Sequence, residues 1–460
     1  MSGQGLLRRA PEGFLDAEGI RRVQAEARRG RRGFLRGAFR AAMAGSALGA
    51  GAGAGAQGQS GTAALVAPGD PHILALPEHS RALGRPVPDA GYGQPSRHEA
   101  NLQRRRSPGL TPTREASVSF TPLQGLFGIV TPSGLHFERH HQGWWDVDPT
   151  THRLMLNAGV PGLLERAMVF TMDELMRLPS VSRFHFIECS ANTGMEWGGV
   201  AVPTVQYTHG MLSCSEFTGV PLATLLDMAG ADWKAAKFVL AEGADGASLT
   251  RTIPIEPVRR GEVLVAYGQN GEMLRPENGY PLRLVVPGVQ GVSWVKYLRR
   301  IEVGDRPYAA KDETLQYVDL MPDGRHRAYT SIQEVKSVVT TPSGGQVLMG
   351  RGFHAISGLA WSGRGKVAKV DVSVDGGRHW RPARLQPPLL DKCLTRFSLD
   401  WVWDGRPALV MSRATDSTGQ VQPTLRALRA VRGRRSVYHN NAIQTWWVQE
   451  SGEVSNVQLA

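Results

Sequence analysis

An α+β body followed by an all-β domain is the fold the sequence predicts, and three observations predict it. Between residues 120 and 307, short strand-like runs alternate with short helical signals at no regular βαβ period, which argues against a doubly wound sheet. From about residue 315 the texture changes to short alternating strands separated by turn residues, with almost no helical pattern. That is the signature of a β-sandwich of immunoglobulin-like type. At 460 residues, 41% hydrophobic and 20% charged, the chain is globular in composition and long enough for two to three domains.

The amino terminus reads GRRGFLR at 30–36, followed by a small-residue run over 41–56 that ends Ala54-Gly55-Ala56. Paired arginines, x-Phe-Leu, a basic residue and a weakly apolar segment form a twin-arginine export signal, and residues 1–56 are expected to be that signal peptide. A basic amphipathic helix with a low-complexity linker is the plainer alternative. The route carries folded proteins, often with a cofactor already loaded, so the expected destination is the periplasm. Residues 1–56 hold ten Arg and no Lys against four acids, so half of the formal +12 charge lies there. The remaining +6 suits anionic small molecules or acidic partners as readily as nucleic acid, and no nucleic-acid motif occurs. No segment is apolar for long enough to span a membrane.

Residues 57–115, rich in Pro, Gly, Ser and Arg, are expected to form an extended arm, with Arg104-Arg105-Arg106 a solvated run. The body is expected over 116–314. A short strand at 167–170 precedes a capping box at Thr171-Met172-Asp173-Glu174 that starts a helix through Leu178, and 221–228 reads as a second helix. Strands are expected at 237–241, 263–267, 282–286 and 294–303, with Asn270-Gly271 as a hairpin turn. In the second domain, 315–460, Val370, Val372 and Val374 alternate before the turn Asp375-Gly376-Gly377, with Trp380 after it. Leu399, Trp401 and Trp403 alternate again, and Leu409 and Met411 belong to a further strand. The tail from Thr445-Trp446-Trp447 onward is expected to pack back on the body.

Three cysteines, Cys189, Cys214 and Cys393, are too few for a disulfide framework, and no CxxCH occurs to attach a haem. Cys189 stands out because FHFIECSANTG at 184–194 sets it where an alternating strand ends and a loop opens. A thiolate there can be a nucleophile, a redox group or a soft metal ligand, while a small buried hydrophobe is the bland alternative.

In order and spacing, HFERH at 136–140, the Cys189 loop, EGAD at 242–245, NGYPLRLVVPG at 278–288 and GVSWVK at 291–296 resemble the sulfite oxidase family of molybdenum enzymes. The resemblance runs over roughly residues 120–455, and the second domain resembles that family's dimerisation module. It implies a molybdopterin-bound molybdenum, with Cys189 as the protein's thiolate ligand. It implies that His136, Phe137, Glu138, Arg139, His140, Asp245, Asn278, Arg283, Trp294, Val295 and Lys296 hold the cofactor. Cationic Arg139, Arg283 and Lys296 suit a group that carries a phosphate. Asn278 stands where the family has His; its amide can still donate and accept. His136, His140 and His141 lack the Cys or carboxylate partners that would make a zinc site.

Two departures bear on the substrate. The family's Cys loop continues with an arginine where this chain has Gly194, and glycine is expected to leave room for a longer substrate. The family's active-site Trp matches Tyr207 and its Tyr matches Leu249, with Arg251 nearby. The expected catalytic set is therefore Cys189, Arg139, Tyr207 and Arg251. These departures resemble the sulfane dehydrogenase branch, which implies a sulfur-carrier protein as substrate, a c-type cytochrome subunit as electron acceptor, and a homodimer within a heterotetramer. The alternative is a sulfite dehydrogenase with Arg251 as the substitute anchor. A methionine sulfoxide reductase is disfavoured by the carboxy-terminal sandwich, and a metal-free scaffold by the presence of Cys189. Replacing Arg31 and Arg32 by Lys should leave the protein in the cytoplasm, measured by fractionation; recovery from the periplasm at wild-type level would contradict the export route.

Overall fold

The computed structural model describes residue 83 and residues 92–107, 113–199, 201–314, 316–328, 332–434 and 436–459. The expected export signal and most of the expected arm lie outside the described residues. Among the described residues no helix is long and apolar enough to cross a membrane.

The first domain is built on two sheets. One orders Glu272–Met273, Leu264–Gln269, Leu212–Pro221 and Val181–Glu188, with Arg283–Val285 also paired to Leu264–Gln269. The other orders Met168–Phe170, Leu154–Ala158, Leu298–Gly304, Phe238–Gly243 and Thr250–Pro254, and is antiparallel except where Leu298–Gly304 runs parallel to Leu154–Ala158. The hairpin turn forms as its residues require, with φ of 52° at Asn270 and 79° at Gly271. The helix Met172–Met176 starts from the expected capping box. Thr171 accepts from the Glu174 amide and Glu174 accepts from the Thr171 amide, while Arg177 caps its end.

The strand expected at 294–303 begins only at Leu298. Trp294 caps a 3₁₀ turn over Gly291–Ser293, and Tyr297 has φ 53°, a left-handed conformation that no strand tolerates. The irregular backbone from 291 to 297 lines part of the pocket described below.

The second domain is a sandwich. Lys336–Thr341, Gly352–Trp361, Thr395–Trp403 and Arg384–Gln386 form one sheet; Arg381–Pro382, Val367–Ser373, Ala408–Asp416, Thr445–Val448 and Val454–Val457 form the other. Val370, Val372, Leu399, Trp401 and Trp403 are buried, as their alternation requires. Residues 445–457, expected to pack back as a tail, supply two strands of the second sheet. The sandwich also holds one helix the sequence reading missed, Leu425–Arg432, capped by Thr424 and followed by Gly433 at φ 78°; it buries Leu425 and Leu428.

The two domains meet along the strand Val181–Glu188. Phe186 belongs to the apolar core of the sandwich and its neighbour Ile187 to the core of the first domain, so the strand is buried on both faces as it reaches Cys189. Leu212–Pro221 repeats the division, with Leu212 and Cys214 in the sandwich core and Phe217 and Val220 in the first.

Trp446 is fully buried with its indole N–H donated to the Val339 carbonyl at 2.9 Å, whereas Trp447 is 39% exposed. Trp446→Ala should therefore lower stability by about 3–5 kcal/mol and Trp447→Ala by less than about 1 kcal/mol, read from denaturant midpoints of the two variants.

Candidate active site

One pocket collects most of the residues singled out above. Its wall is drawn from six separated segments, most of them loops and turns. The 3₁₀ turn Ser133–Leu135 delivers His136 and Phe137, and the short strand Glu138–Arg139 is held by pairing with Val118–Phe120. Arg283 comes from a buried strand and bridges Lys296, while Asn278 ends the 3₁₀ turn Pro276–Asn278. Gly279 at φ 110° lets that turn close over Lys296: a Cβ there would stand 3.0 Å from the Lys296 Cβ. Cys189 follows the last residue of Val181–Glu188, donates its amide to the Met211 carbonyl at 3.0 Å, and opens its part-buried thiol to the pocket.

Burial decides the charge states. His136 and His140 are both pulled down to about 3, chiefly by burial and then by Arg283 for His136 and Lys296 for His140. Both are therefore neutral, and their partners fix the tautomers. His136 Nδ1–H donates to the Phe137 carbonyl at 2.9 Å, leaving Nε2 as a bare acceptor. His140 Nδ1 accepts from Lys296 Nζ at 2.9 Å, so its Nε2–H donates to Glu138 at 3.2 Å. Glu138 in turn pairs with Arg104. Arg104 is thus half-buried and braces the pocket wall, unlike Arg105 and Arg106, which are exposed as the solvated-run reading expects. Lys296 itself is lowered to about 7 by burial and by Arg283. Burial also raises the Cys189 thiol, against the opposing pull of the Ala191 amide and Arg139.

Of the expected cofactor residues, His136, Phe137, Glu138, Arg139, His140, Cys189, Asp245, Asn278, Arg283, Trp294 and Lys296 share this wall. Val295 does not; its side chain is wholly within the first-domain core. Two of the expected catalytic side chains also lie elsewhere. Tyr207 sits on the helix Val205–His209 and meets Phe120 edge-on at 5.4 Å. Arg251 is fully buried on Thr250–Pro254, bonded to the Asp312 carbonyl, 4.0 Å from Glu313 and 5.7 Å beneath the Tyr317 ring. Its guanidinium is engaged by that acidic segment and does not face the pocket. The aromatic hydroxyl that does line the pocket is Tyr317, bonded to His141 Nε2 at 3.0 Å and tilted on Tyr438 at 5.1 Å. Sequence reading missed it by drawing the domain boundary at 314 and assigning Tyr317 to the sandwich. Gly194 does not line this pocket, and a Cβ there would stand 3.0 Å from the Val437 carbonyl.

An anionic, donor-rich and acceptor-rich group fits this wall. Arg139, Arg283 and Lys296 supply cations. His136 Nε2, Asn278 Nδ2 and Arg283 Nε are buried without a hydrogen-bond partner, an unusual concentration for native interiors. No cluster of three His, Cys, Asp or Glu side chains able to hold a metal ion occurs among the described residues, so any metal here depends on a group that brings its own ligands.

Known proteins agree with this assembly. The family model for an oxidoreductase molybdopterin binding domain matches residues 141–311, and that for a Mo-co oxidoreductase dimerisation domain matches 327–446. Sulfite oxidase of Gallus gallus is 30% identical over 386 residues, 77% of this chain and 82% of that protein. The chain belongs to the sulfite oxidase family of molybdopterin oxidoreductases. Within that family, a nitrate reductase of Nicotiana tabacum is 31% identical over 330 residues, but the chain spans only 34% of its length. A crystal structure of the sulfane dehydrogenase SoxCD from Paracoccus pantotrophus matches at TM-score 0.81 and 47% identity, over 85% of this chain and 99% of that one. As in the family at large, the sequence reading of a cofactor domain followed by a dimerisation domain describes this chain, which is a molybdenum-dependent oxidoreductase.

Neutral His136 and His140 make the pocket sensitive to acid. Below about 6.5 the unfolded chain binds protons that the folded chain refuses until about pH 3, so stability falls as pH falls through that window. Denaturant midpoints of the cofactor-free protein should show a loss of about 2 kcal/mol per histidine between pH 7 and 5, and His136→Asn should make the slope shallower. A flat profile would contradict the neutral assignment.

Proposed function

We propose that the chain is the molybdenum subunit of a sulfane dehydrogenase. It oxidises sulfane sulfur carried on a thiol of a carrier protein and passes the electrons to a separate c-type cytochrome subunit. In this reading it holds one molybdopterin-bound molybdenum with Cys189 as protein ligand and carries no haem. It works in the periplasm as a homodimer, joined through residues 327–446, within a heterotetramer. When bound, the molybdenum centre supplies oxygen-atom transfer to sulfur.

The chain's own residues supply binding and orientation. Arg283 and Lys296 meet the cofactor's negative charge, and charge on a bound phosphate raises Lys296 from about 7 back towards its ordinary value. His136 Nε2 would accept from the pterin, and the Asn278 amide would donate to it. Arg139 and Tyr317 line the same wall as the thiol, where they would meet the reacting sulfur. The engaged Arg251 serves as a positioning residue beneath the Tyr317 ring.

The observation that carries the choice of substrate lies at the Cys loop. Position 194 is glycine and its outer side is filled by the Val437 carbonyl, so that loop offers no guanidinium to a small dianion. Free sulfite then lacks its bidentate anchor, whereas a sulfur bonded to a carrier thiol brings binding energy from the carrier itself. The 47% identity to a sulfane dehydrogenase supports the same choice. Trp144 and Trp145, each 56% exposed, follow the wall residue Gly143 in the chain and offer a surface for the carrier.

The test compares cytochrome c reduction by the purified, molybdenum-loaded protein with sulfite and with a persulfidated carrier peptide. The sulfite rate should be lower by at least about tenfold, the scale of one lost charge-assisted pair. Equal or faster turnover with sulfite would establish the sulfite dehydrogenase alternative. Cys189→Ser should abolish both activities while leaving the circular dichroism spectrum unchanged.

A further inference from the structure

Glu188, the residue before Cys189, is 3% exposed and carries a complete set of donors. Its Oε1 accepts from Lys336 Nζ and from Asn192 Nδ2, both at 2.9 Å, and its Oε2 accepts from the Trp361 indole N–H at 2.8 Å. Lys336 and Trp361 both belong to the sandwich; Lys336 is 2% exposed and also donates to Thr193 Oγ1 at 3.0 Å. On the other side of Cys189, the Ser190 carbonyl accepts from the His439 amide at 2.8 Å. Thr193, held at φ 64°, donates its hydroxyl to the Asn440 carbonyl at 2.8 Å. Cys189 therefore lies between two residues that are each tied to the other domain.

We propose that Lys336 and Trp361 are positioning residues for the metal thiolate: through Glu188 the second domain sets the direction in which Cys189 points, and so completes the cofactor site. This rests on Cys189 being the molybdenum ligand. A loop residue with left-handed backbone at Thr193 and small neighbours at Ser190, Ala191 and Gly194 has many conformations within its own domain. A carboxylate fixed at both oxygens, one residue before the thiol, removes that freedom. A buried ammonium and carboxylate are a costly way to fix it compared with apolar packing, which makes a role in orientation the more economical account of the pair.

The role separates from mere stability by experiment. Lys336→Met alone strands a buried carboxylate and is expected to unfold at lower temperature. The double variant Lys336→Met, Glu188→Gln removes both charges and should recover most of that loss, while Trp361→Phe keeps the ring and removes one donor. In all three full-length, molybdenum-loaded proteins, X-ray absorption at the molybdenum edge should show loss of one sulfur neighbour in a fraction of molecules, and Mo(V) electron paramagnetic resonance should show more than one species. The double variant decides the matter: recovered melting with the wild-type sulfur shell and a single Mo(V) species would overturn the proposal and leave the pair a structural feature. Cys189→Ser is the control. A full sulfur shell in Cys189→Ser would overturn the ligand reading itself, whereas loss there with an intact shell in the double variant and Trp361→Phe would overturn only the positioning role.

Discussion

A strand buried on both faces is the constraint from which the rest follows. Val181–Glu188 gives Phe186 to one core and Ile187 to the other, so both apolar interiors draw on its buried second half. At its end Glu188 is buried, and Lys336 meets it at 2.9 Å. The thiol that follows emerges at the junction of two packed bodies, on a loop whose backbone is bonded to both. A pocket placed there inherits rigidity from two cores while its opposite wall is made of turns and 3₁₀ segments, which can carry many polar groups at close range.

That opposite wall is organised by desolvation. Burial is the main cause of the shifts in this pocket: Lys296 falls to about 7, with repulsion from Arg283 adding to the effect, Arg283 falls to about 10, and His136 and His140 stay neutral. The arrangement is poised for an anion. Binding one relieves the repulsion, restores the lysine's charge and satisfies the orphaned donors of Asn278 and Arg283 together. Tyr297, whose hydroxyl donates to the Pro276 carbonyl at 2.9 Å, ties the two cofactor turns so that this relief acts on both.

How much of this was legible depends on the range of the interaction. Local signals held: the Asn270-Gly271 turn, the capping box at Thr171 and the alternation of Val370 with Val372 all act within a few residues, and all formed. Motif order located most of the pocket wall, because Arg283 and Lys296 lie on segments whose spacing is set by one short hairpin. What failed was long-range or required a break in pattern. The left-handed Tyr297 stopped an otherwise strand-like run, and a helix in the sandwich was hidden by the basic residues of LRALRAVR, whose apolar stripe is narrow. Arg251 looked available and proved to be engaged with Asp312, 61 residues away. Lys336 and Glu188, separated by 148 residues, were not singled out in the sequence. Nothing in one-dimensional pattern reports that two such charges meet in the dark between domains.

The central claim is that this pocket holds molybdenum at Cys189. Crystals of the loaded protein, with diffraction collected on both sides of the molybdenum absorption edge, test it without reference to turnover. The account predicts a single anomalous peak per chain at bonding distance from Cys189 Sγ, within the wall formed by Arg139, Arg283 and Lys296. A molybdenum peak elsewhere in the chain, or one in this pocket with no contact to Cys189, would contradict it.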